Sequence, residues 1–250
     1  MALRSVVFRA ALWAGVVLAP RAVAAQPKAG DGFMFGAPHG SFTLRAGLSQ
    51  PTEGSDLFSF VRHELTLSRG DFAGGSVAGD FAFFLRPRVA LQLGGAYASR
   101  TRPSTYRAFI DNNDREIEQS SAFRRMALSA GLRYYLMPTG RALGDLAWVP
   151  ARVTAYVGAG VGITWYQFRQ AGDFVDYQTM DVFNSTMESS AAAPTAYGAA
   201  GVEYALSARL GLTGEARHDM ASARMSSDFS GFDRIDVSGT AFTLGLTLRF

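Results

Sequence analysis

Large apolar residues and small or polar residues alternate with a period of two along much of the chain. The clearest run ends the sequence: residues 242–250 read FTLGLTLRF, with large side chains on one face and Thr, Gly and Arg on the other. Strict alternation of this kind predicts a β-strand with one apolar face. By the same criterion we predict eight strands, at about residues 41–49, 76–85, 89–99, 121–136, 153–166, 194–206, 210–220 and 237–250.

The connections between these strands differ in length in a regular way. Four are long, at residues 50–75, 100–120, 169–193 and 221–236, and they alternate with the three-residue turns 86–88 and 207–209 and with the longer segment 137–151. Alternating long and short connections are typical of an up-and-down membrane barrel, with long loops outside and short turns in the periplasm. Only the length of segment 137–151 has no explanation in this scheme. Within the first loop, a short amphipathic helix capped by Ser55 is expected at residues 56–67.

The two faces of the strands indicate which side meets lipid. In the fifth strand one face is glycine at positions 158, 160 and 162, and the other carries Val157, Val161 and Ile163. A soluble, lipocalin-like barrel would bury the large residues inside, whereas a narrow eight-stranded membrane barrel needs small residues inside and apolar ones outside. The sequence therefore predicts an all-β protein, an eight-stranded antiparallel up-and-down transmembrane β-barrel with long extracellular loops and short periplasmic turns.

The first 25 residues have the pattern of a cleaved signal peptide. Arg4 and Arg9 precede the apolar run 10–19, and small residues at 22–25 suit cleavage before Ala25 or Gln26. An uncleaved amphipathic anchor is the alternative. We therefore expect a signal peptide at 1–25, a periplasmic lead-in at 26–40 and the barrel domain at 41–250, with export through the inner membrane to the bacterial outer membrane.

Composition narrows the chemistry further. Cleavage would remove three of the 24 basic residues and so balance the 21 acidic ones. A clustered basic surface, which nucleic acid requires, is therefore not expected. The absence of cysteine argues against disulfides, thiolate metal sites and a lipid anchor. We expect no cofactor, no metal site and no nucleic-acid partner.

Charged residues on the inward faces of the strands must find partners, because an unpaired charge in a narrow lumen is costly. We predict a lumenal ion-pair network, in which Glu215 meets Arg45 or Arg133, drawn from Arg45, Asp80, Arg125, Arg133, Glu203, Glu215, Arg217 and Arg249. The network is expected to close the lumen as a polar plug, and a gated narrow pore is the alternative.

Aromatic residues on the outward faces lie near the predicted strand ends, where amphipathic rings suit the lipid headgroup level. The expected girdle is Tyr97, Tyr134, Trp165, Tyr204 and Phe250.

Together, the signal peptide, the eight amphipathic strands, the stretch AYVGAGVGITWY at 155–166 and the terminal TLGLTLRF resemble the small outer-membrane β-barrel proteins of the OmpA/OmpW-like type. The peptidoglycan-binding domain of full-length OmpA proteins has no counterpart in this sequence. The resemblance implies contact with outer-membrane lipids and lipopolysaccharide, and biogenesis through periplasmic chaperones and the barrel-assembly machinery. It also implies that the last strand carries the assembly signal, formed by Phe242, Leu244, Leu246, Leu248 and Phe250.

Other candidate chemistry is weaker. His218, on the outward face near Ser222 and Ser226, would suit a lipid A deacylase, but the neighbouring Asp219 points to the opposite face of the strand. The run 111–114 (DNND) has oxygen ligands suited to calcium but lacks the spacing of an EF-hand, and Asp173, Asp176 and Asp181 are interpreted in the same way, as solvated loop charges. Asn184 begins a glycosylation pattern that has little meaning in a bacterial host.

We therefore expect no catalytic residues and a role in envelope structure, or in surface binding or adhesion through the long loops. A narrow channel or transporter for small or hydrophobic solutes is the first alternative, and a lipid-modifying enzyme is the second. The extracellular ligand is not predictable from the sequence.

Overall fold

The computed structural model describes residues 32–111, 114–144 and 146–250. The predicted signal peptide and residues 26–31 of the lead-in lie outside this part of the chain. Within it, no helix combines the length and apolarity needed to cross a membrane.

Eight long strands form one closed antiparallel barrel. They are β2 (Gly40–Pro51), β3 (Gly74–Arg86), β4 (Val89–Ile110), β5 (Glu116–Tyr135), β8 (Val153–Val175), β9 (Val182–Ala205), β10 (Leu210–Arg224) and β12 (Gly239–Arg249). Each strand pairs with the next, and the ring closes because β12 pairs with both β10 and β2, while β10 also pairs with β9. The predicted eight-stranded antiparallel up-and-down barrel is therefore confirmed.

Shorter elements lie at the two ends of the barrel. They are β1 (Met34–Phe35), helix α1 (Asp56–Glu64), β6 (Gly140–Leu143), β7 (Ala147–Pro150), a 3₁₀ turn (Ser227–Phe229) and β11 (Arg234–Asp236). We call the end that carries α1, the 3₁₀ turn and β11 the outer end, and the end with the short turns the inner end. Ser55 precedes α1 as expected, but its side chain makes no capping hydrogen bond.

The residues that alternate in the sequence lie on opposite faces of the barrel wall, with the large apolar ones outside and the small or polar ones inside. On β12, Leu244 is 75% exposed, whereas its neighbour Thr243 is only 6% exposed. On β8, Val161 is 67% exposed, and the inward Gly160 lies so close to Ala130 and Tyr197 that a Cβ atom there would clash with both. The outer surface is therefore apolar, and the interior is narrow and filled.

Two of the four predicted long loops are not loops. The sequence pattern predicts long loops at residues 100–120 and 169–193, but β4 continues to Ile110, β5 begins at Glu116, and β8 pairs with β9 from Val153↔Tyr204 to Val175↔Val182. The strand ends predicted on either side of these two loops are therefore wrong. Both connections are tall antiparallel hairpins, and they extend the barrel wall beyond its apolar band.

The long segment 137–151 forms a hairpin of β6 and β7 at the inner end. Its strand β7 also pairs with β1 of the lead-in, at Met34↔Trp148 and Phe35↔Ala147, to give a three-stranded sheet. Trp148, Met34 and Ala208 form a small buried cluster beside this sheet. The segment, which the sequence pattern left as an unexplained exception among the inner turns, is long because it supplies two strands to this sheet.

A second hydrophobic core fills the outer end, and no pattern in the sequence indicates it. We call this core the apolar cap. Its buried members are Leu57, Phe58, Val61, Leu65, Leu67, Phe72, Tyr106, Ile117, Phe123, Tyr166, Phe168, Val175, Ala193, Ala221, Ala223, Phe229, Ile235 and Val237. The apolar face of α1 points into it, and Phe58 makes edge-on contacts with Phe72, Phe123 and Phe168. The cap closes the outer end of the lumen.

Candidate functional sites in the lumen and at the outer end

Six of the eight charged residues predicted for the lumen lie in one buried cluster. It contains three arginines and three carboxylates, so its formal charge is zero, and every member is at most 5% exposed. Its members are Arg45, Asp80, Arg133, Glu203, Glu215 and Arg249. We call this cluster the lumenal network.

Arg133 is the centre of the lumenal network. Its guanidinium lies 3.0 Å from Asp80, 3.4 Å from Glu203 and 3.6 Å from Glu215. Arg45 joins Asp80 at 2.6 Å to Glu215 at 3.0 Å, so Glu215 meets both of the arginines that the sequence offered as partners. Arg249 completes the chain at 3.0 Å from Glu203. Each of the six side chains comes from a different strand, and together they span the lumen.

Aromatic hydroxyl groups support the carboxylates. Tyr156 donates a hydrogen bond to Glu215 at 2.7 Å, and Tyr135 donates one to Glu203 at 3.3 Å. Arg133 also lies over the ring of Tyr156, 4.2 Å from its centroid. These contacts link the ion pairs to neighbouring aromatic side chains. Three buried nitrogens of the network, Arg45 Nε, Arg133 Nε and Arg249 Nη1, have no hydrogen-bond partner among the described residues.

The other two predicted members, Arg125 and Arg217, do not join the lumenal network. Arg125 donates hydrogen bonds to Ser49 Oγ at 2.6 Å and to the carbonyl of Val237 at 3.0 Å. Arg217 pairs with Asp219 at 2.8 Å and stacks on Tyr197 at 3.7 Å. Asp219 is not among the predicted members. The sequence does indicate its pairing with Arg217, because the two residues are two positions apart and such residues share a face of a strand.

The five residues predicted for the aromatic girdle all lie on the outward face, at two levels. Tyr97 and Trp165 are on the outer side, both paired with Met126 of the strand between them. Tyr134, Tyr204 and Phe250 are at strand ends on the inner side, and each is more than a third exposed. The outward residues of the predicted assembly signal, Phe242 to Phe250, are at least 50% exposed.

His218, the residue considered for lipid A deacylation, lies on the outward face. Its Nδ1 is 2.9 Å from Thr240 Oγ1. Asp219 points inward to Arg217, Ser222 Oγ accepts a hydrogen bond from Arg234, and Ser226 Oγ donates to the carbonyl of Glu188. Both serines are therefore engaged with other groups of the outer end.

The acidic residues near the hairpin tips accept hydrogen bonds from within the same hairpin. Asp111 Oδ1 accepts a hydrogen bond from the Arg115 amide at 2.8 Å, and residues 112 and 113 lie outside the described chain. Asp176 Oδ1 accepts one from the Gln178 amide at 2.8 Å, and Asp173 accepts one from Asn184 at 2.7 Å.

Glu53 fixes the loop before α1 to the outer end. It is 1% exposed, its carboxylate lies 3.2 Å from Arg62 of α1, and it accepts a hydrogen bond from the Gly70 amide. Its backbone has a φ of 56°, a left-handed conformation that non-glycine residues adopt rarely. Burial raises the pKa of Glu53, and the Gly70 hydrogen bond and the Arg62 charge oppose that rise.

A cavity of about 270 Å³ opens beside the apolar cap. It is walled by α1, the two tall hairpins and the segment after the 3₁₀ turn, so no single stretch of sequence indicates it. Its lining includes seven aromatic residues: Phe60, Tyr106, Phe174, Tyr177, Phe183, Phe229 and Phe232. Two carboxylates, Glu64 and Asp228, also line it.

No protein-family model and no curated protein matches the chain. Among solved structures, the outer membrane protein OprG from Pseudomonas aeruginosa is similar, with 16% identity, coverage of 87% of this chain and 99% of that one, and a TM-score of 0.49. Neisserial surface protein A (NspA) has 14% identity, coverage of 88% and 98%, and a TM-score of 0.43. A major outer membrane protein from Thermus thermophilus has 13% identity, coverage of 84% and 99%, and a TM-score of 0.43. The fold that the OmpA/OmpW-like resemblance implies is present in the chain's own closed ring of eight antiparallel strands.

Proposed function

We propose that this protein is an integral protein of the bacterial outer membrane with a closed lumen, and that it serves envelope structure and surface binding rather than conduction. The observation that carries the proposal is the lumenal network, whose six charged side chains fill the barrel at most 5% exposed. Eight strands enclose an interior only just wide enough for side chains to fill. The apolar cap adds a second closure above the network.

The membrane location rests on the closed ring and its apolar outer face. Backbone groups at an open sheet edge would be unpaired in hydrocarbon, and a closed ring has no such edge. With the outer end extracellular, the tall hairpins and α1 present a structured surface to the environment. A chain with the predicted signal peptide would reach this location by export.

Three measurements test this proposal. The mature protein, purified from outer membranes in detergent, should migrate differently on a gel before and after boiling, and its N-terminus should be Ala25 or Gln26. Reconstituted in a planar lipid bilayer, it should give no discrete conductance steps. Regular single-channel steps from the wild-type protein would overturn the closed-lumen proposal in favour of the narrow channel. Recovery in the soluble periplasmic fraction would overturn the membrane location.

A further inference from the structure

The cavity beside the apolar cap has the chemistry of a cation site. Seven of its 17 lining residues are aromatic, and the faces of aromatic rings attract cations. The ionisable groups with a full charge in its lining are Glu64 and Asp228, and the lining contains no Lys, Arg or His among the described residues. The two carboxylates would therefore repel an anionic ligand, and a neutral ligand would form no ion pair with them.

Glu64 is positioned for such a ligand. Its Oε2 accepts a hydrogen bond from Tyr177 at 2.9 Å, and its Oε1 lies 2.9 Å from His63 Nδ1. The hydrogen bond from His63 is the main cause that lowers the pKa of Glu64, so the carboxylate is ionised at neutral pH. Asp228 also lines the cavity, and its Oδ2 accepts a hydrogen bond from the Glu188 amide at 3.0 Å.

The aromatic walls are also fixed in position. Tyr106 packs edge-on against Phe109, which packs edge-on against Tyr177, with centroid distances of 5.9 and 5.7 Å. Phe60 of α1 packs edge-on against Phe232, with a centroid distance of 5.5 Å. A cavity of about 270 Å³ is near the lower limit of small-molecule sites, so it suits a compact ligand.

We propose that this cavity binds a small organic cation, an aryl or alkyl ammonium compound, with its charge between Glu64 and Asp228 and its apolar part against the aromatic walls. The site lies outside the lumenal network. Binding is therefore independent of whether the lumen conducts, and the site can fail while the closed barrel stands.

The test uses benzyltrimethylammonium as the probe and the full mature protein in maltoside micelles. Zwitterionic choline detergents are avoided because their own ammonium groups would compete. Titration is followed by calorimetry and by chemical-shift changes of the Tyr106 and Tyr177 amides. We expect saturable binding, with shifts confined to the outer end. Benzenesulfonate, an anion with the same ring, should not bind, and neopentylbenzene, the neutral isostere, should bind at least about threefold more weakly.

Variants separate charge from shape. Glu64→Gln and Asp228→Asn should each weaken binding about threefold to tenfold, since these carboxylates are partly exposed to solvent. Glu118→Gln, an exposed acid on β5 that does not line the cavity, should leave binding unchanged. Each variant is first shown to retain the gel shift on boiling. Two results with the wild-type protein would each overturn the proposal without any variant. One is that the probe and its neutral isostere bind equally well, and the other is that binding does not saturate at millimolar probe concentrations.

Discussion

Arg133 is the residue on which the lumenal network depends most. It contacts three carboxylates and is itself fully buried. Its removal leaves the three carboxylates Asp80, Glu203 and Glu215 with only two arginines of the network as partners. Leaving a buried charge without its partner typically costs about 3–5 kcal/mol. We predict that Arg133→Met lowers the free energy of unfolding by about that amount, measured by urea titration in micelles with loss of the unboiled gel band as the signal.

Arg124→Met is the matched control, because Arg124 lies on the same strand and is exposed. Combining Arg133→Met with Glu203→Gln restores equal numbers of positive and negative charges and should recover part of the loss. If the Arg133 and Arg124 variants unfold at the same urea concentration, the network does not stabilise the barrel.

Glu53 makes the stability of the outer end depend on pH, and the direction of this dependence can be predicted. Burial raises its pKa above the ordinary 4.5, so the folded loop holds the proton more tightly than the unfolded loop does. This stabilisation is fully present below pH 4.5 and is lost as the pH rises through the folded-state pKa. We predict that hydrogen exchange at the Gly70 amide, corrected for the intrinsic rate, becomes less protected as the pH rises from about 4 to about 7 and Glu53 loses its proton.

Glu53→Gln should remove this dependence. The amide keeps an acceptor for the Gly70 amide and for Arg62, and it carries no charge to be desolvated. Protection at Gly70 should then be flat over the same pH range. A variant that retained the wild-type pH dependence would show that another group is responsible.

The sequence predicts which face of a strand each lumenal charge lies on, but it does not predict which charges meet. Alternation placed each charged residue on the correct face, but the chain pattern does not say which strands lie opposite one another across the lumen. Arg133 and Glu203 are 70 positions apart and meet only because the barrel closes. The prediction of Arg217 and Arg125 as network members is wrong for the same reason, because their heights in the lumen follow from the stagger between strands.

At the scale of single elements, β8 shows why its inward face is glycine. A Cβ atom at Gly160 would overlap the carbonyl of Ala130 and lie 2.7 Å from the Tyr197 ring, which in turn stacks on Arg217. The outward Gly198 on β9 has open space around the same position. We predict that Gly160→Ala lowers the free energy of unfolding by about 1–3 kcal/mol, whereas Gly198→Ala changes it by less than about 0.5 kcal/mol.

Both substitutions add the same methyl group to a paired strand of the same barrel, and only the side on which it points differs. Urea unfolding of the two variants in the same detergent therefore isolates interior packing. Equal midpoints would mean that the lumen has room to spare, which would also weaken the closed-lumen proposal.

In the tall hairpins, the alternation of apolar and polar residues no longer identifies the strands. Beyond the girdle the outward face no longer meets hydrocarbon, and on β4 it carries Thr101, Pro103 and Thr105. The inward face there combines Ser104 with Tyr106, so both faces look polar and the stretch resembles a loop. The strand persists because its inward side packs on the apolar cap, a tertiary contact with α1 and Leu65 that the local pattern does not contain.

At the scale of the whole molecule, the backbone and the ring of Phe250 can be tested separately. Its carbonyl accepts hydrogen bonds from the amides of His39 and Gly40, and its own amide donates to Gly40, so its backbone fastens β12 to β2. Its ring is half exposed on the outward face, at the position of the terminal aromatic expected in an assembly signal. A substitution changes the ring and keeps the backbone bonds.

We predict that Phe250→Ala reduces the amount of folded protein in the outer membrane several-fold, measured by the unboiled gel band from membrane fractions. The same variant, refolded from urea into micelles, should still show the gel shift, because the closing backbone hydrogen bonds remain. Phe83→Ala, which removes another outward ring of similar exposure on β3, should accumulate normally. Equal accumulation of both variants would make Phe250 an ordinary lipid-facing residue. A Phe250→Ala protein that also fails to refold in micelles would instead assign the ring to barrel closure, since no cellular machinery takes part in that reaction.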